Sequence, residues 1–261
     1  MTTAMGLDMN RAFLQVEVHD WCTEERLKSF KEKYLSYLEI FAICPKSEDL
    51  FVRSWVHTNH IRSLQSKRFK SYSLEEVDSN QFVNNWSKTR DNMFLSFLPE
   101  SKIYEYATCE PLMLKWAFEE WGHRLESIYL ERKSSLDQIS CSLIRVADPY
   151  LASEIYQRLR SDNIPFDQLS WQFGEGPERK NSGYFPLMRS SQLPDGFMPL
   201  IKKLKVGETL KPHRIGKWTV IIQLHELLPS QFNQETQEFI LKTEINAWTS
   251  SVSKLLLSSL E

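Results

Sequence analysis

The most unusual short stretch of the sequence is Glu175–Lys180, where glycine and proline interrupt a run of charged residues. Loops held on a rigid scaffold often carry the side chains that bind a ligand, although the charges of a solvated loop can also serve solubility alone. Phe197 directly follows a Pro-Asp-Gly sequence at the predicted start of a helix, so its ring can face a groove. No phosphate-binding loop, dinucleotide fingerprint or nucleophile elbow is found. These residues favour a ligand groove, and we expect no cofactor.

Two histidines have a spacing that a metal site could use. His57 and His60 are one helical turn apart, but no cysteine or third histidine lies near them in the sequence. Zinc sites in proteins need three or four protein ligands, so the favoured interpretation is a pair of surface histidines and no metal site. The four cysteines are scattered without a C-x-x-C pair, which favours reduced, mostly buried thiols. They are Cys22, Cys44, Cys109 and Cys141.

The charge of the chain argues against some classes of partner. With 32 Lys+Arg against 34 Asp+Glu, the net charge is −2, so no global field attracts nucleic acid or an anionic membrane. A locally basic run closes the middle of the chain, but it lacks interleaved aromatic residues for base stacking, and we expect no nucleic-acid partner. The run comprises Lys202, Lys203, Lys205, Lys211, His213, Arg214 and Lys217.

The N-terminal sequence bears on location. Met1 to Asn10 lacks the charged start and the continuous apolar core of a secretory signal, and Gln15 and Glu17 interrupt the next apolar run. No stretch approaches the roughly 18 to 20 apolar residues of a membrane helix. We therefore expect a cytoplasmic protein without membrane insertion. Its 41% hydrophobic residues are ample for a buried core.

The first part of the chain, residues 1–135, is predicted to be an all-helical domain. Thr23 fits an N-cap, apolar residues then recur at spacings of three and four, and Pro45 ends that helix. Ser73–Glu76 has the pattern of a capping box. Pro111 is expected in the first turn of a later helix, where proline is tolerated.

Strand-type segments first appear near Lys133–Leu136, which marks a predicted domain boundary. Residues 136–228 then have the pattern of strand, helix, helix, loop, short strand, helix and two strands. The two closing strands, joined near Arg214 to Lys217 with Gly216 at the turn, would form a hairpin. We predict a small α+β domain built on an antiparallel sheet.

The last predicted helix, within residues 229–261, carries an apolar stripe and cannot be stable in isolation. The apolar face from Leu114 to Ile128 offers a partner, so we expect this helix to pack on the helical domain. The sheet domain would then be an insertion in a helical frame. The stripe consists of Leu241, Ile245, Trp248, Val252 and Leu255.

The order of elements from Ile139 to Glu226 resembles the parvulin family of peptidyl-prolyl cis-trans isomerases and its SurA/PrsA-like chaperone relatives. The resemblance implies an α+β fold in which a helical domain carries an inserted parvulin-like sheet-and-helix domain, with the C-terminal helix returning to the helical domain. The matching landmarks are Phe166–Ser170, Gly174–Pro177, Gly183–Phe185, Phe197, Val206–Glu208 and Trp218–Leu224.

The resemblance also implies an apolar cup for a proline ring. Leu193 and Phe197 stand where parvulin-like domains carry a large aliphatic residue and a phenylalanine, and Phe185 occupies the matching leucine position. Arg179 and Lys180 lie in the loop where relatives place a basic residue near the substrate. For each apolar residue taken alone, the other interpretation is that it fills a small core.

The family's polar positions carry different residues in this sequence. The histidine of the family's first strand aligns with Ser142, and the histidine of its last strand aligns with Thr219, or with Val220 if the register slips by one. The remaining polar position aligns with Glu175 or Gly176. Ser142, Glu175 and Thr219 would form a hydrogen-bonded trio, either around a substrate or as a structural network.

The activity that the resemblance implies is isomerisation of X-Pro bonds in unfolded client polypeptides. Rotation about such a bond crosses about 18–20 kcal/mol although its isomers differ by only about 0.5–1 kcal/mol, so the problem is one of rate. A catalyst can grip the proline ring and place polar groups around the twisting bond, without a covalent step. The alternative is a non-catalytic client-binding chaperone, or an accessory that delivers clients to a secretion apparatus.

Overall fold

A computed structural model describes residues 21–68, 72–74 and 76–260. The chain divides into two compact units. The helical unit contains the described residues up to Leu125 together with those from Glu238 onward, and the sheet unit contains Glu126–Gln237. The sequence placed these divisions at 135/136 and 228/229.

The elements follow one another as helices first, then strands and helices mixed, then one long helix. In chain order they are α1 (Glu24–Ser36), α2 (Leu38–Ile43), α3 (Pro45–Arg68), α4 (Glu76–Lys88), α5 (Asn92–Ser96), α6 (Glu100–Trp121), α7 (Leu125–Leu136), β1 (Gln138–Val146), α8 (Pro149–Ser161), α9 (Phe166–Phe173), β2 (Tyr184–Arg189), α10 (Met198–Ile201), β3 (His213–Ile215), β4 (Trp218–Leu228) and α11 (Gln234–Ser258). Short 3-10 turns at Gly122–Arg124, Pro177–Asn181 and Ser190–Gln192 connect some of them.

The start of α1 is the one that the sequence predicts. The Thr23 hydroxyl accepts a hydrogen bond from the Arg26 N–H at 3.4 Å, and two glutamates occupy the first turn, where carboxylates favour the helix dipole. The single helix predicted up to Pro45 is instead divided at Tyr37 into α1 and α2. Pro45 is the first residue of α3, a position that needs no N–H donor. The capping box at Ser73–Glu76 includes Glu75, which lies outside the described residues.

Pro111 contradicts its prediction, because it lies inside α6 rather than in a first turn. A proline in a helix interior removes one backbone hydrogen bond and strains the preceding turn. The helix continues to Trp121 because the residues that follow the proline are deeply buried, notably Leu112, Met113 and Trp116. Tertiary packing thus offsets the local cost.

The C-terminal helix packs within the helical unit, as predicted, but it packs against Trp116 and not on the predicted apolar face, whose Phe118 is exposed. Trp248 is fully buried, and its ring centroid lies 4.8 Å from that of Trp116 and 6.1 Å from that of Trp21. Leu241, Ile245, Trp248 and Val252 of the predicted stripe are buried, whereas Leu255 is exposed and Leu256 takes its place in the core. This aromatic and aliphatic core supplies the stability that α11 lacks alone.

The interpretation of a surface histidine pair is wrong, because His60 is buried and His57 is only partly exposed. His60 is buried, with its ring centroid 4.4 Å from that of Trp116 in an edge-to-face contact. His57 Nε2 is 2.7 Å from the Thr249 hydroxyl oxygen, and burial lowers the pKa of His57 to about 4. Both histidines are therefore packing residues of the helical unit. Within the described part of the chain, no group of three or more His, Cys, Asp or Glu residues is placed to hold a metal ion.

The sheet unit contains a four-stranded antiparallel sheet in the order β2-β1-β4-β3. β1 is central and pairs with β4 along its whole length, from Gln138 opposite Leu228 to Val146 opposite Thr219. β3 and β4 form the predicted hairpin, and Gly216 at the turn has a positive φ of 59°, which glycine adopts without strain. The α+β fold class predicted from the sequence is confirmed.

Among the described residues, no helix combines the length and the apolar character that crossing a bilayer requires.

Candidate functional site

Strand alternation separates the sheet's side chains onto two faces. Successive side chains of a strand point to opposite sides, so Cys141 and Leu143 lie on one face of β1, and Ser142 and Ile144 lie on the other. The first face packs against α10 and the segment before it, and we call it the α10 face. The second packs against α8 and α9, and we call it the α8 face.

The three residues of the predicted proline cup come together on the α10 face. Leu193 is 8% exposed and Phe197 is 5% exposed, and both belong to the core formed with Leu143 and Ile222. Phe185, opposite Cys141 on the edge strand, packs partly buried against the same core. The three side chains therefore pack in the same core cluster.

The predicted polar trio does not form. Ser142 and Thr219 lie on the α8 face, so the sheet itself separates them from Phe197. Glu175 is exposed in its loop, where its Oε2 accepts a hydrogen bond from the Ala147 N–H at 3.2 Å. The physical reason is the period of two along each strand, because a residue one position away from a core residue points to the opposite side of the sheet.

The α10 face offers few polar groups to a twisting amide. The buried residues of β1 and β4 on this face are apolar, apart from the thiol of Cys141. Burial raises the pKa of that thiol to about 11, so it stays protonated and neutral at pH 7. Electrostatic stabilisation of a transition state needs donors or dipoles aimed at the reacting bond. The apolar core contains only the weak S–H donor of Cys141, and the Arg145 side chain on the same face of β1 is paired with Glu178.

The charged loop Glu175–Lys180 is tied to the protein's own framework. Glu178 accepts a hydrogen bond from Arg145 Nε at 2.6 Å, and both side chains of this ion pair are largely buried. Arg179 Nε donates to the Trp171 carbonyl at 2.7 Å, and its guanidinium lies 5.6 Å from the centre of the Trp171 ring. Lys180 is exposed. Glu178 and Arg179 therefore anchor the loop to β1 and α9, and Lys180 faces solvent.

The absence of a side chain at Gly176 leaves room for the Glu178–Arg145 ion pair. A Cβ atom at this position would lie 2.1 Å from Glu178 Oε1 and 2.5 Å from Arg145 Nε. Only glycine lets the buried ion pair approach the backbone this closely. The glycine at position 176 thus has a structural reason.

His225 is a polar neighbour that the sequence analysis missed. Its Nε2 is hydrogen-bonded to the Ser142 hydroxyl at 2.8 Å, and its ring centroid lies 5.8 Å from that of Tyr184. Burial lowers the pKa of His225, which favours the neutral ring. The position of His225 could have been predicted, because it follows Thr219 at an even spacing along β4. It therefore belongs to the same sheet face as Ser142. No acidic side chain among the described residues hydrogen-bonds this histidine in the way that general-base catalysis usually requires.

The helical unit contains an open site, and we call this site the groove. Its volume is about 750 Å³. At the groove, the rings of Trp86 and Tyr106 lie nearly parallel with centroids 6.4 Å apart, and the Arg90 guanidinium lies 3.6 Å from the centre of the Trp86 ring. Phe94 and Leu50, which also line it, are 51% and 67% exposed. The groove therefore presents aromatic and aliphatic side chains to solvent.

Exposed apolar side chains of the helical unit extend beyond the groove. Soluble proteins seldom expose many large apolar residues in one region unless a partner covers them. The exposed residues of α1 to α3 and of the α5 region are Leu35, Leu38, Ile40, Ile43, Leu50, Met93, Phe94 and Phe97, with Tyr37 between α1 and α2. Periodicity in the sequence predicted helices here but could not reveal which apolar residues stay uncovered.

The fold and these surfaces define a two-unit α+β protein, in which a helical frame with an exposed apolar groove carries an inserted antiparallel-sheet unit. No protein-family model matches the sequence, and no curated protein matches it. Solved structures do show a likeness.

The chain is similar to a PrsA peptidylprolyl isomerase from Bacillus anthracis, at 19% identity and a TM-score of 0.39, over 78% of this chain and 93% of that one. It is similar to a PpiC-type isomerase domain at 17% identity and a TM-score of 0.35, over 38% of this chain and 99% of that domain. A SurA-like chaperone structure from Campylobacter jejuni matches at 13% identity and a TM-score of 0.34, over 91% and 82% of the two chains. These names fall in the class that the sequence resembles. All three TM-scores are below 0.5, so these structures do not establish the function of this chain.

Proposed function

We propose that this protein is a non-catalytic folding helper that holds unfolded polypeptide segments in the groove of its helical unit. The observation that carries the proposal is the exposure of Phe94 and Leu50 in the lining of that groove, beside the half-buried Trp86. An unfolded chain exposes apolar side chains that a folded protein hides. Covering both surfaces at once releases water and stabilises the complex, at roughly 25 cal/mol for each Å² of apolar surface buried.

The charged groups at the groove are arranged to suit an apolar segment. Lys242 Nζ lies 3.0 Å from Glu110 Oε1 and 2.9 Å from Glu238 Oε1, so its charge is balanced within the protein. His57, with its pKa lowered to about 4 by burial, is neutral at pH 7. Arg90 is stacked on Trp86. A segment that enters the groove therefore meets apolar surface, a lysine whose charge is balanced by two glutamates, and the cation of Arg90 stacked on Trp86.

Replacing both Leu50 and Phe94 with serine should weaken binding of unfolded polypeptide at least about tenfold, because each side chain loses part of the 1.5–3 kcal/mol that burying it contributes. Both residues are exposed, so the fold should be retained. Binding is measured by fluorescence anisotropy with a labelled, reduced and carboxymethylated model protein that cannot refold. Suppression of aggregation of a chemically unfolded protein is the second readout.

The matched control is Phe118→Ser with Leu255→Ser, which removes two exposed apolar side chains of the same unit that do not line the groove. This control should bind within about twofold of the original protein, because these positions lie outside the site. Equal losses in the two double variants would mean that the apolar surface binds without a defined groove, and the proposal would fail.

The sheet unit supports the prolyl-isomerase activity implied by the resemblance less well than the groove supports client binding. Phe197 and Leu193 are core residues, and Ser142 and Thr219 lie on the far side of the sheet. We expect X-Pro exchange rates in a proline-containing peptide, measured by NMR exchange spectroscopy, to equal the uncatalysed rate even at high protein concentration. A clear acceleration that a matched amount of an inert protein does not produce would restore the isomerase hypothesis.

Unfolded and proline-containing polypeptides remain the proposed partners. Delivery of such clients to a secretion apparatus stays a prediction, as does the cytoplasmic location. A pull-down from fractionated cells, with the original protein and the Leu50, Phe94 double variant side by side, tests the delivery. The cell fraction that contains the protein tests the location.

A further inference from the structure

We propose a second binding site, on the sheet unit, that takes an acidic segment of an unfolded polypeptide, an inference that rests on the proposed function. The site is a cavity of about 650 Å³ between the end of α8 and the chain from Lys203 to Lys211. Its volume is in the range of sites that bind a short peptide or a small molecule. We call it the basic cavity.

The rim of the basic cavity is positively charged. Arg160, Lys203 and Lys211 line it and are exposed, and none of the three forms an ion pair with a described residue. The cavity's lining includes one carboxylate, Glu208, whose Oε2 accepts a hydrogen bond from the Lys205 N–H at 3.0 Å. Three uncompensated cations around one carboxylate attract anionic groups.

The surrounding chain strengthens this local field. Residues 202–217 contain six Lys or Arg residues and one acidic residue, whereas the whole chain has a net charge of −2. Charges within about 8–10 Å act together at moderate ionic strength. The basic region is thus a local feature of this surface, and it differs in sign from the molecule as a whole.

The floor of the basic cavity is apolar. Tyr156 and Leu204 are buried there, and Leu159 and Leu210 are partly buried. A cationic rim over an apolar floor fits a ligand that carries both carboxylates and aliphatic side chains, such as a glutamate- and leucine-containing peptide. Nucleic acid is disfavoured, because Tyr156 is buried and lies against Arg160, whose Nη1 is 3.3 Å from the tyrosine oxygen, so no open ring remains for base stacking.

One wall of the basic cavity is fixed by the sheet. The Gly207 N–H donates to the Leu224 carbonyl at 2.7 Å, and the Leu210 N–H donates to the Ile222 carbonyl at 2.7 Å. This segment is therefore held against β4 before any ligand arrives. A wall that does not have to become ordered on binding lowers the entropic cost of association.

Lysines beside a sheet edge also protect it against unwanted strand pairing, and a matched pair of double variants separates the two roles. Lys203→Gln with Lys211→Gln removes two cations from the cavity rim. Lys202→Gln with Lys217→Gln removes two cations from the same run that do not line the cavity. Both variants change the net charge equally, and circular dichroism and thermal melts check that each is folded.

The probe is a fluorescein-labelled peptide of alternating glutamate and leucine, compared with the same peptide carrying glutamine in place of glutamate. The full chain should bind the acidic peptide, and affinity should fall as salt rises from about 50 mM to about 300 mM. The rim variant should bind about tenfold more weakly, and the control variant should bind within about twofold of the original. The glutamine peptide should bind weakly to all three proteins.

Equal losses in the rim and control variants, no binding of the acidic peptide, or equal binding of a charge-matched single-stranded oligonucleotide would each overturn the site. The Leu50, Phe94 double variant keeps the two proposals distinguishable. It should lose affinity for the carboxymethylated model protein while it keeps its affinity for the acidic peptide. Loss of both in that variant would mean that the peptide binds in the groove and that the basic cavity is not a separate site.

Discussion

Replacing Phe197 with alanine is expected to lower the free energy of unfolding by about 3–5 kcal/mol, the usual cost of removing a buried phenylalanine ring. The ring is 5% exposed and packs in the α10-face core with Leu193 and Ile222. The change leaves a cavity that the surrounding sheet fills only in part. Urea unfolding followed by circular dichroism measures the effect, and the midpoint should shift without a change in slope.

Tyr150→Ala is the control for Phe197→Ala, because Tyr150 is an aromatic residue of the same unit that is 85% exposed. It should change stability by less than about 1 kcal/mol. If Phe197→Ala left stability unchanged while abolishing a measurable X-Pro isomerisation, the ring would have to face an open pocket, and the assignment of Phe197 to the core would be wrong.

Glu178→Gln is expected to destabilise the sheet unit by about 3 kcal/mol, because it leaves the charge of Arg145 buried without its partner. The Glu178 side chain is almost fully buried and lies 2.6 Å from Arg145 Nε. The Glu178 carbonyl also accepts a hydrogen bond from the Gly183 N–H at 2.9 Å, so the residue ties the loop to the start of β2. Thermal unfolding should show a lower midpoint than the original protein has.

The control for Glu178→Gln is Glu154→Gln, which breaks an exposed ion pair with Arg158 on α8. Exposed pairs of this kind contribute about 0–1 kcal/mol, so this variant should be nearly neutral. Replacing both buried partners, Arg145→Met with Glu178→Leu, should recover part of the loss, because no unpaired charge remains. Equal effects of Glu178→Gln and Glu154→Gln would mean that the loop is not held by the buried pair.

The parts of the fold that the sequence predicted well are those with a strong local period. The second helix predicted in the sheet domain is found as α9, Phe166–Phe173, and the β3–β4 hairpin turns at Gly216 as expected. The stripe of α11 is buried from Leu241 to Val252 because a spacing of three and four keeps one helix face toward the core. Such patterns are carried by neighbouring residues and need no knowledge of distant parts of the chain.

The candidate site was harder to predict because it depends on which strand face is covered and by what. β1 is buried on both faces, so its apolar run does not mark an inside and an outside. Ser142 could therefore be aligned with a catalytic position although it points away from Phe197. An apolar cup and an apolar core also use the same residue types, and only tertiary packing distinguishes them.

The groove was missed for a related reason. Phe94 and Trp86 belong to helices with ordinary apolar patterns, and the sequence does not tell which apolar residues remain uncovered. The partly buried position of His57 and the buried position of His60 follow from the return of α11, which supplies Thr249 and Trp248 from a distant part of the chain. Contacts between distant parts of the chain thus determine both the exposure of the groove residues and the burial of the two histidines.

Site-specific photo-crosslinking tests the central claim, that the groove holds unfolded polypeptide, most directly. A photoreactive phenylalanine analogue is placed at Phe94, which lines the groove, or at Phe118, which is similarly exposed elsewhere in the helical unit. Each protein is irradiated with the carboxymethylated model protein. We predict a strong crosslinked product from position 94 and only background from position 118. Equal products from both positions, or none from position 94, would contradict the assignment of the groove as the binding site.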